Sequence, residues 1–206
     1  MQNGFVLAHD SKAWPCVAAS PESSDESLLE RVAEGDRLAM RALYARHNLK
    51  VYRFVLRFVG DASKAEDVVS EVFFDVWRQA GRFEGRSQVT TWILGIARFK
   101  ALTVRRQRHD EPLDEALVET IADQADDPEV CLDKKREAAM LRMCIGRLTP
   151  QHREVIDLVY YHGTSVEQTA TILGVPANTV KTRMFYARQR ISELYMQACG
   201  QRRYHA

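Results

Sequence analysis

The basic stretch near the end of the chain carries side chains that could bind a nucleic acid. The predicted helix from Pro176 to Met196 presents hydrogen-bond donors and cations on its outward face: Asn178, Thr179, Lys181, Thr182, Arg183, Tyr186, Arg188 and Arg190. Lysine and arginine contact phosphates or guanine, whereas threonine and asparagine can contact phosphates or base edges. We expect such a helix to lie in the major groove of DNA with its N-terminal residues on the base edges.

The residues before this helix have the spacing of a helix-turn-helix. Ser165–Gln168 has the capping-box pattern, and Ala170 is small where a second helix must approach closely. Gly174 tolerates a positive φ at the turn, Pro176 pre-sets φ for the next helix, and Val180 would fill the angle between the two helices. The pattern predicts DNA binding, although an ordinary helical hairpin with a solvated basic face has similar geometry.

A second basic helix is predicted from Val89 to Arg108, where aromatic and basic side chains are interleaved. Aromatic rings stack on the bases of single-stranded nucleic acids while arginines neutralise the phosphates, so this helix is a second candidate site. Its apolar residues could equally form a protein core, and for Trp92 the residues leave both roles open.

The predicted helix from Ala62 to Gln79 has an acidic face beside its apolar stripe. The acids on this face are Glu66, Asp67, Glu71 and Asp75. A face of this kind is commonly solvated, and it could also dock a basic helix of a partner.

These candidates need helices to position them, and the hydrophobic pattern predicts an all-α fold. Apolar residues recur at i, i+3 and i+4, with breaks at Gly35-Asp36 and Gly60-Asp61, and no stretch shows the strict alternation of a β-strand. We expect two small helical domains on a tether. The predicted divisions are a flexible tail over 1–24, a helical domain over 25–108, an acidic linker over 109–136, a helix-turn-helix domain over 137–197 and a tail over 198–206.

The charge distribution limits the classes of function that fit this sequence. The 29 Lys and Arg residues nearly balance the 28 Asp and Glu residues, so a uniformly basic nucleic-acid coat is excluded. Two basic blocks, over 78–108 and from 176 onward, are separated by a run over 110–129 that holds nine acids and no Lys or Arg. A helical scaffold without a nucleic-acid role would leave this arrangement unexplained.

An enzyme is not supported by the residues. The six histidines are scattered, and no Ser-His-Asp order, glycine-rich phosphate loop or HExxH motif stands out. The four cysteines form no CxxC pair, so neither a disulfide framework nor a zinc site is expected. We predict no cofactor and no catalytic or metal-binding residues. The cysteine usage and the lack of an apolar run of membrane-spanning length favour a cytoplasmic protein.

Four motifs in one order carry a resemblance to a known family. They are Asp61–Trp77, Thr91–Arg98, Leu148–Ile156 and the helix-turn-helix that ends Val180-Lys-Thr-Arg. The chain resembles a bacterial RNA polymerase sigma factor of the extracytoplasmic function (ECF) group over residues 25–197. This resemblance implies a protein that binds core RNA polymerase, directs it to specific promoters and helps to melt the −10 element. The core polymerase would supply the catalysis and its magnesium.

The resemblance implies that residues 25–108 form a sigma-2-like domain. The clamp helices of the polymerase β′ subunit would contact Asp61, Glu66, Asp67, Glu71, Phe74 and Asp75. The loop over 82–88 and the helix that follows it would open the −10 element and hold a flipped base. The residues implied in this DNA contact are Arg82, Arg86, Ser87, Trp92, Arg98, Lys100, Arg105 and Arg106.

Residues 137–197 resemble a sigma-4 domain, whose recognition helix would read the −35 element while another surface meets the polymerase β flap. The acidic linker would thread toward the polymerase active site and RNA exit path. The resemblance further implies an anti-sigma factor that holds the protein inactive until a stress signal arrives. The chain departs from the family pattern at Ser70, Phe99, Thr103 and Tyr186, so the resemblance does not predict the promoter sequence.

The alternative is a stand-alone helix-turn-helix transcriptional regulator. This alternative would account for residues 149–197, but it leaves the unit over 25–108 unexplained. It also predicts tight DNA binding without a polymerase.

Overall fold

The structure, a computed structural model, describes the backbone of residues 23–107 and 128–202 and the side chains of residues 23–106 and 137–198. Within these ranges every regular element is a helix, which confirms the all-α prediction. The helices form an N-terminal unit before the acidic run and a C-terminal unit after it. The part of the predicted linker from 109 to 127 lies outside the described residues. None of the described helices is long and apolar enough to cross a membrane.

The N-terminal unit packs four α-helices around one apolar core. They are α1 (Asp25–Ala33), α2 (Arg37–Val59), α3 (Ala62–Gln79) and α4 (Val89–Gln107), with a 3₁₀ turn at Ala80–Arg82. Helix α2 lies against each of the other three, and Leu43, Phe54 and Val55 are buried along it. The helix breaks predicted at residues 35–36 and 60–61 are confirmed.

Local interactions explain where α2 begins and ends. Asp36 Oδ1 accepts from the N–H groups of Leu38 at 2.8 Å and Ala39 at 3.1 Å, and so caps two amides that lack a partner within the helix. The Arg31 guanidinium donates to Asp36 Oδ2 at 2.6 Å and holds the pKa of that carboxyl below its usual range. Helix α2 ends at Gly60, whose φ of 69° suits a residue without a Cβ atom.

The C-terminal unit is organised around its longest helix. Its elements are α5 (Pro128–Gly146), α6 (Pro150–Ile156), a π-helical segment (Asp157–Tyr161), α7 (Val166–Leu173) and α8 (Ala177–Arg202). Helix α8 lies against α5, α6 and α7. Two small apolar clusters, around Met140 and around Leu148, hold α5 and α6 on α8.

Two boundaries differ from the sequence prediction. Helix α5 begins at Pro128, inside the range predicted as linker, because a proline fits the first turn of a helix. Helix α8 continues past Met196 to Arg202, since no proline interrupts it. Helix α6 ends at Ile156, where the chain continues directly as a π-helical segment from Asp157.

The two units pack directly against each other. Helix α4 of the N-terminal unit lies against α7 of the C-terminal unit. The main apolar cluster of the N-terminal unit continues into the C-terminal unit through Val155, Leu158, Ile172, Leu173, Val180 and Met184. The prediction of two domains on a tether left this arrangement undetermined.

Candidate nucleic-acid interface

The helix-turn-helix consists of α7, a glycine turn and the first half of α8. Ser165 Oγ accepts from the Gln168 N–H at 3.1 Å, and Gln168 Oε1 accepts from the Ser165 N–H at 2.8 Å, which confirms the predicted capping box. Gly174 has a φ of 66°, and the Val175 N–H returns to the Ala170 carbonyl at 3.1 Å. The turn therefore places glycine where a side chain would strain the backbone.

The first half of α8 buries one side and presents the other to solvent. Val180, Met184 and Ala187 are buried against the rest of the molecule. Six of the predicted −35 residues are exposed, and they are Asn178, Lys181, Thr182, Tyr186, Arg188 and Arg190. The remaining two, Thr179 and Arg183, are half-buried. The helix thus offers a basic face of the kind that the major groove accepts.

Helix α3 has an apolar side and an acidic side. Its valine-rich side is buried in the N-terminal unit. The opposite side exposes four of the predicted polymerase-binding residues, which are Glu66, Asp67, Glu71 and Phe74. Phe74 is 60 % exposed, and the Arg78 guanidinium carbon lies 5.7 Å from the centre of its ring. An exposed phenylalanine among carboxylates suits a partner surface that is both apolar and basic.

Two further predicted polymerase-binding residues also have roles within the fold. Asp61 Oδ1 accepts from the Lys64 N–H at 3.1 Å and caps α3. Lys100 Nζ of α4 lies 2.9 Å from Asp75 Oδ2 and 3.2 Å from Glu71 Oε2. Partial burial lowers the pKa of Lys100, but the hydrogen bonds to these two carboxylates outweigh that effect and raise the pKa above its usual value. Lys100, implied above in DNA binding, therefore connects α4 to the acidic face of α3.

The loop before α4 contributes an aromatic pair and two exposed cations. The rings of Phe83 and Trp92 lie 5.4 Å apart, and both side chains are half-buried against the core of the N-terminal unit. Arg82 and Arg86 are exposed beside them, and Ser87 is half-buried. Trp92 thus has part of its ring in the core and part at the surface.

The cations of α4 differ in their surroundings. Arg98 Nε donates to Glu154 Oε1 of α6 at 2.5 Å, so this arginine contacts the C-terminal unit. Arg105 and Arg106 are exposed near the end of the helix. Phe99, at a position where the chain departs from the family pattern, is 73 % exposed. The cations of the predicted −10 set therefore comprise four exposed arginines, of which Arg86 pairs with the neighbouring Glu84, and two less exposed cations, Arg98 and Lys100, that pair with carboxylates of other helices.

A second set of residues joins the two units and was missed by sequence reasoning. The Arg57 guanidinium of α2 forms an ion pair with Asp157 and lies 3.7 Å from the centre of the Tyr161 ring. The rings of Phe54 and His162 lie 5.4 Å apart, edge to face. The available signal was Asp157, an acid between apolar neighbours at a position that the helical pattern assigns to a packed face.

His162 lies in the middle of this contact between the units. Its side chain is 3 % exposed. Burial, together with the smaller effect of the positive charges of Arg57, Lys50 and Arg53, lowers the pKa of His162 to about 4. The imidazole is therefore neutral in the folded protein at neutral pH.

The described residues present charged surfaces that are open to solvent. No group of three His, Cys, Asp or Glu side chains in this part of the chain could hold a metal ion. A cleft between α5 and α8, lined by Glu137, Leu141 and Tyr195, is open to solvent. The chemistry that these surfaces support is the binding of charged macromolecules.

Protein-family models match both units. The model described as Sigma-70 region 2 matches residues 43–110, and the model described as Sigma-70, region 4 matches residues 138–191. The first match includes the acidic face of α3 and all of α4. The second includes the helix-turn-helix.

Known proteins are similar to the chain over most of their length. The RNA polymerase sigma-H factor of Pseudomonas aeruginosa is 30 % identical over 181 residues, which cover 84 % of this chain and 94 % of that protein. The ECF RNA polymerase sigma factor SigL of Mycobacterium tuberculosis is 34 % identical over 160 residues, which cover 75 % and 88 %. The structure of the sigma factor RpoE of Bartonella quintana, solved with the anti-sigma factor NepR, has a TM-score of 0.55 at 24 % identity. The two structures align over 75 % of this chain and 94 % of the other chain. At this identity, the likeness shows a shared fold.

Proposed function

The chain belongs to the extracytoplasmic function group of the sigma-70 family, and we propose that it divides polymerase binding and promoter recognition between its two units. As a sigma factor it binds core RNA polymerase and directs the enzyme to specific promoters. One observation carries the proposed division: the acidic face of α3 and the basic face of α8 are both exposed and belong to different units. Catalysis belongs to the polymerase.

The N-terminal unit, over residues 25–108, docks on the clamp helices of the polymerase β′ subunit. The exposed acids of α3 attract a basic surface, and Phe74 supplies apolar area at the centre of the contact. Asp61 supports this face by capping α3, and Asp75 supports it through an ion pair with Lys100.

The same unit opens the −10 element. Arg82, Arg86, Arg105 and Arg106 neutralise the phosphates of the separated strand, because their guanidinium groups are exposed around the loop and α4. The exposed part of the Trp92 ring stacks on an unpaired base. The cost of unstacking, a few kcal/mol per base, is offset by these contacts.

The C-terminal unit, over residues 137–197, reads the −35 element with α8 and contacts the polymerase β flap. The N-terminal residues of α8, including Asn178 and Lys181, face the base edges, while Arg188 and Arg190 approach the phosphates. The surfaces that bind polymerase also serve an anti-sigma factor, because an inhibitor must cover them. The protein therefore acts in the cytoplasm, where the polymerase is.

Binding to core RNA polymerase tests this function against that of a stand-alone regulator. The purified chain is mixed with core polymerase and passed over a sizing column in moderate salt, with and without a primary sigma factor as competitor. We expect co-elution at one chain per core and displacement by the competitor. Specific binding of the free chain to duplex DNA without any co-elution would instead favour the regulator.

A further inference from the structure

Phe99 of α4 is a large apolar side chain that the fold leaves in solvent, with 73 % of its surface exposed. Ala97 and Ala101, two positions before and two positions after it, are fully buried. Because two residues turn an α-helix by about 200°, Phe99 lies on the side of the helix opposite the core. The ring therefore contributes little to packing within the chain. The resemblance to the family supplies no role for it either, because the chain departs from the family pattern at this position.

Phe99 continues an apolar stripe along one face of α4. Trp92, Ile96 and Phe99 follow one another at spacings of four and three residues, which places them on the same face of the helix. Trp92 and Ile96 are half-buried, so the stripe becomes more exposed toward Phe99. A rise of about 1.5 Å per residue places Trp92 and Phe99 about 10.5 Å apart along the helix axis. Stacked bases of one strand are about 3.4 Å apart, so at most about three base steps fit between the two rings.

Ion pairs occupy the faces of α4 on either side of this stripe. On one side Arg98 donates to Glu154 of α6, and on the other side Lys100 pairs with two acids of α3. The stripe between them is open to solvent, since Thr103, one turn beyond Phe99 on the same face, is also exposed. A partner can therefore reach the stripe without breaking either ion pair.

The charges around the stripe favour a nucleic acid over a protein as this partner. Helix α4 contains no Asp or Glu along its whole length, and Arg105 and Arg106 are exposed beyond Phe99. Aromatic rings stack on unpaired bases while arginines neutralise the phosphates, so rings and cations on a helix without acids suit a single strand. The exposed ring of Phe74 on α3, in contrast, lies among carboxylates, which repel phosphates.

We propose that Phe99 is a second stacking platform of the −10 surface, which holds an unpaired base within about three steps of the base held by Trp92. The proposal rests on the proposed function, in which α4 binds the separated strand of the −10 element. The Phe99 ring contacts the face of the base and offers no hydrogen bond to its edge, and every base has such a face. The chain therefore holds this base without selecting its identity, and the promoter tolerates any base at this position.

The test measures binding of the holoenzyme to a forked promoter whose −10 segment is already single-stranded, with each base of that segment removed in turn. Phe99→Ala should weaken binding to the intact fork by about 5- to 150-fold, the factor that corresponds to about 1–3 kcal/mol for stacking of one base. Removal of one particular base should cause a similar loss in the unmodified holoenzyme and no further loss in Phe99→Ala, because both changes remove the same contact. Replacing that base by each of the other three should change binding by less than about twofold.

Two further substitutions separate stacking from apolar contact in general. Phe99→Trp keeps an aromatic ring and should bind the fork like the unmodified chain. Phe99→Leu keeps an apolar side chain without a ring and should lose binding as Phe99→Ala does. The matched control, Leu49→Ala, removes an exposed apolar side chain of α2 and should bind the fork normally. Circular dichroism checks that each variant is folded.

Unchanged binding of the fork by Phe99→Ala would overturn the proposal, and so would a loss that is not coupled to any one base. Weaker binding of Phe99→Ala to core polymerase alone would also overturn it, because the ring would then contact a protein. Arg105→Ala/Arg106→Ala tests the assignment of α4 separately. Loss of fork binding in that variant, with normal binding by Phe99→Ala, would leave the proposed function intact and overturn only the stacking role of Phe99.

Discussion

Arg98 and Glu154 stand 56 positions apart in the chain, yet Arg98 Nε donates to Glu154 Oε1 across 2.5 Å. One residue belongs to the helix assigned to the −10 element and the other to the unit assigned to the −35 element. Their contact means that the two surfaces assigned to DNA are not independent of each other in the free chain. Any promoter complex that uses Arg98 must first break this pair.

Phe74→Ala should weaken binding to core polymerase while leaving the fold unchanged. The ring is 60 % exposed, so its removal opens no cavity, but it takes away the apolar centre of the proposed contact. We expect a loss of about 1–3 kcal/mol in binding free energy. The measurement is a titration of labelled sigma factor with core polymerase. Leu49→Ala removes another exposed apolar side chain, on α2, and should bind normally; equal losses in both variants would contradict the assignment of Phe74.

Arg183→Ala should weaken transcription from promoters that depend on the −35 element. A base contact by this arginine predicts a loss of about 1–3 kcal/mol at such promoters and unchanged polymerase binding. The measurement is holoenzyme binding to a labelled promoter with an intact or scrambled −35 element. Arg142→Ala removes an exposed arginine of α5 and serves as the control. If Arg183→Ala reduced polymerase binding to the same degree, the division between the units would be wrong.

Ser165→Ala should destabilise the helix-turn-helix by about 1 kcal/mol, because the Gln168 N–H loses its side-chain acceptor. Urea unfolding followed by circular dichroism measures the change in the free energy of unfolding. Ser192→Ala, at an exposed position within α8, removes a hydroxyl from a helix interior and should cost nothing. A cost as large for Ser192→Ala would show that the cap is not the cause.

The free energy of unfolding should fall in mild acid, because His162 is buried in its neutral form. The unfolded chain takes up this proton near pH 6.5, whereas the folded chain takes it up only near pH 4, where burial has placed the pKa. The contribution to stability is therefore complete above pH 6.5 and is lost as the pH falls toward 4. Between pH 7.5 and 5.5 the loss is about 1 kcal/mol.

Urea unfolding of the unmodified chain and of His162→Phe at both pH values isolates this effect. The phenylalanine keeps a ring against Phe54 but carries no titratable group. Its free energy of unfolding should change less between the two pH values, by the amount that His162 contributes. Identical changes in the two proteins would rule out His162 as the source.

The helices and their caps follow from the sequence because their signals are local. Ser165 and Gln168 are three positions apart, and the capping box they predict forms in the structure. Ala62–Gln79 was predicted as one helix from its apolar stripe, and α3 has the same bounds. Periodicity reports which face of a helix is buried, and so it also placed Glu66 and Asp67 on an exposed face.

The contact between the units could not be predicted because its signals are not local. Arg57 and Asp157 each look like an ordinary charged residue of a helix, and only the tertiary arrangement pairs them. The same holds for Lys100, which was expected on DNA from its place in a basic block. Its position between Glu71 and Asp75 depends on how α3 and α4 pack. Charge counts along a sequence do not reveal which cations already have partners.

The position of Lys100 links two binding equilibria. Glu71 and Asp75 belong to the face assigned to polymerase, whereas Lys100 belongs to the helix assigned to DNA. A polymerase cation that attracts these carboxylates increases the positive charge available on α4, and a phosphate that attracts Lys100 increases the negative charge available on α3. Thermodynamic reciprocity requires the two affinities to change by the same factor. The two assignments therefore predict that, through Lys100, promoter DNA strengthens the binding of this chain to the polymerase by the same factor as the polymerase strengthens its binding to DNA.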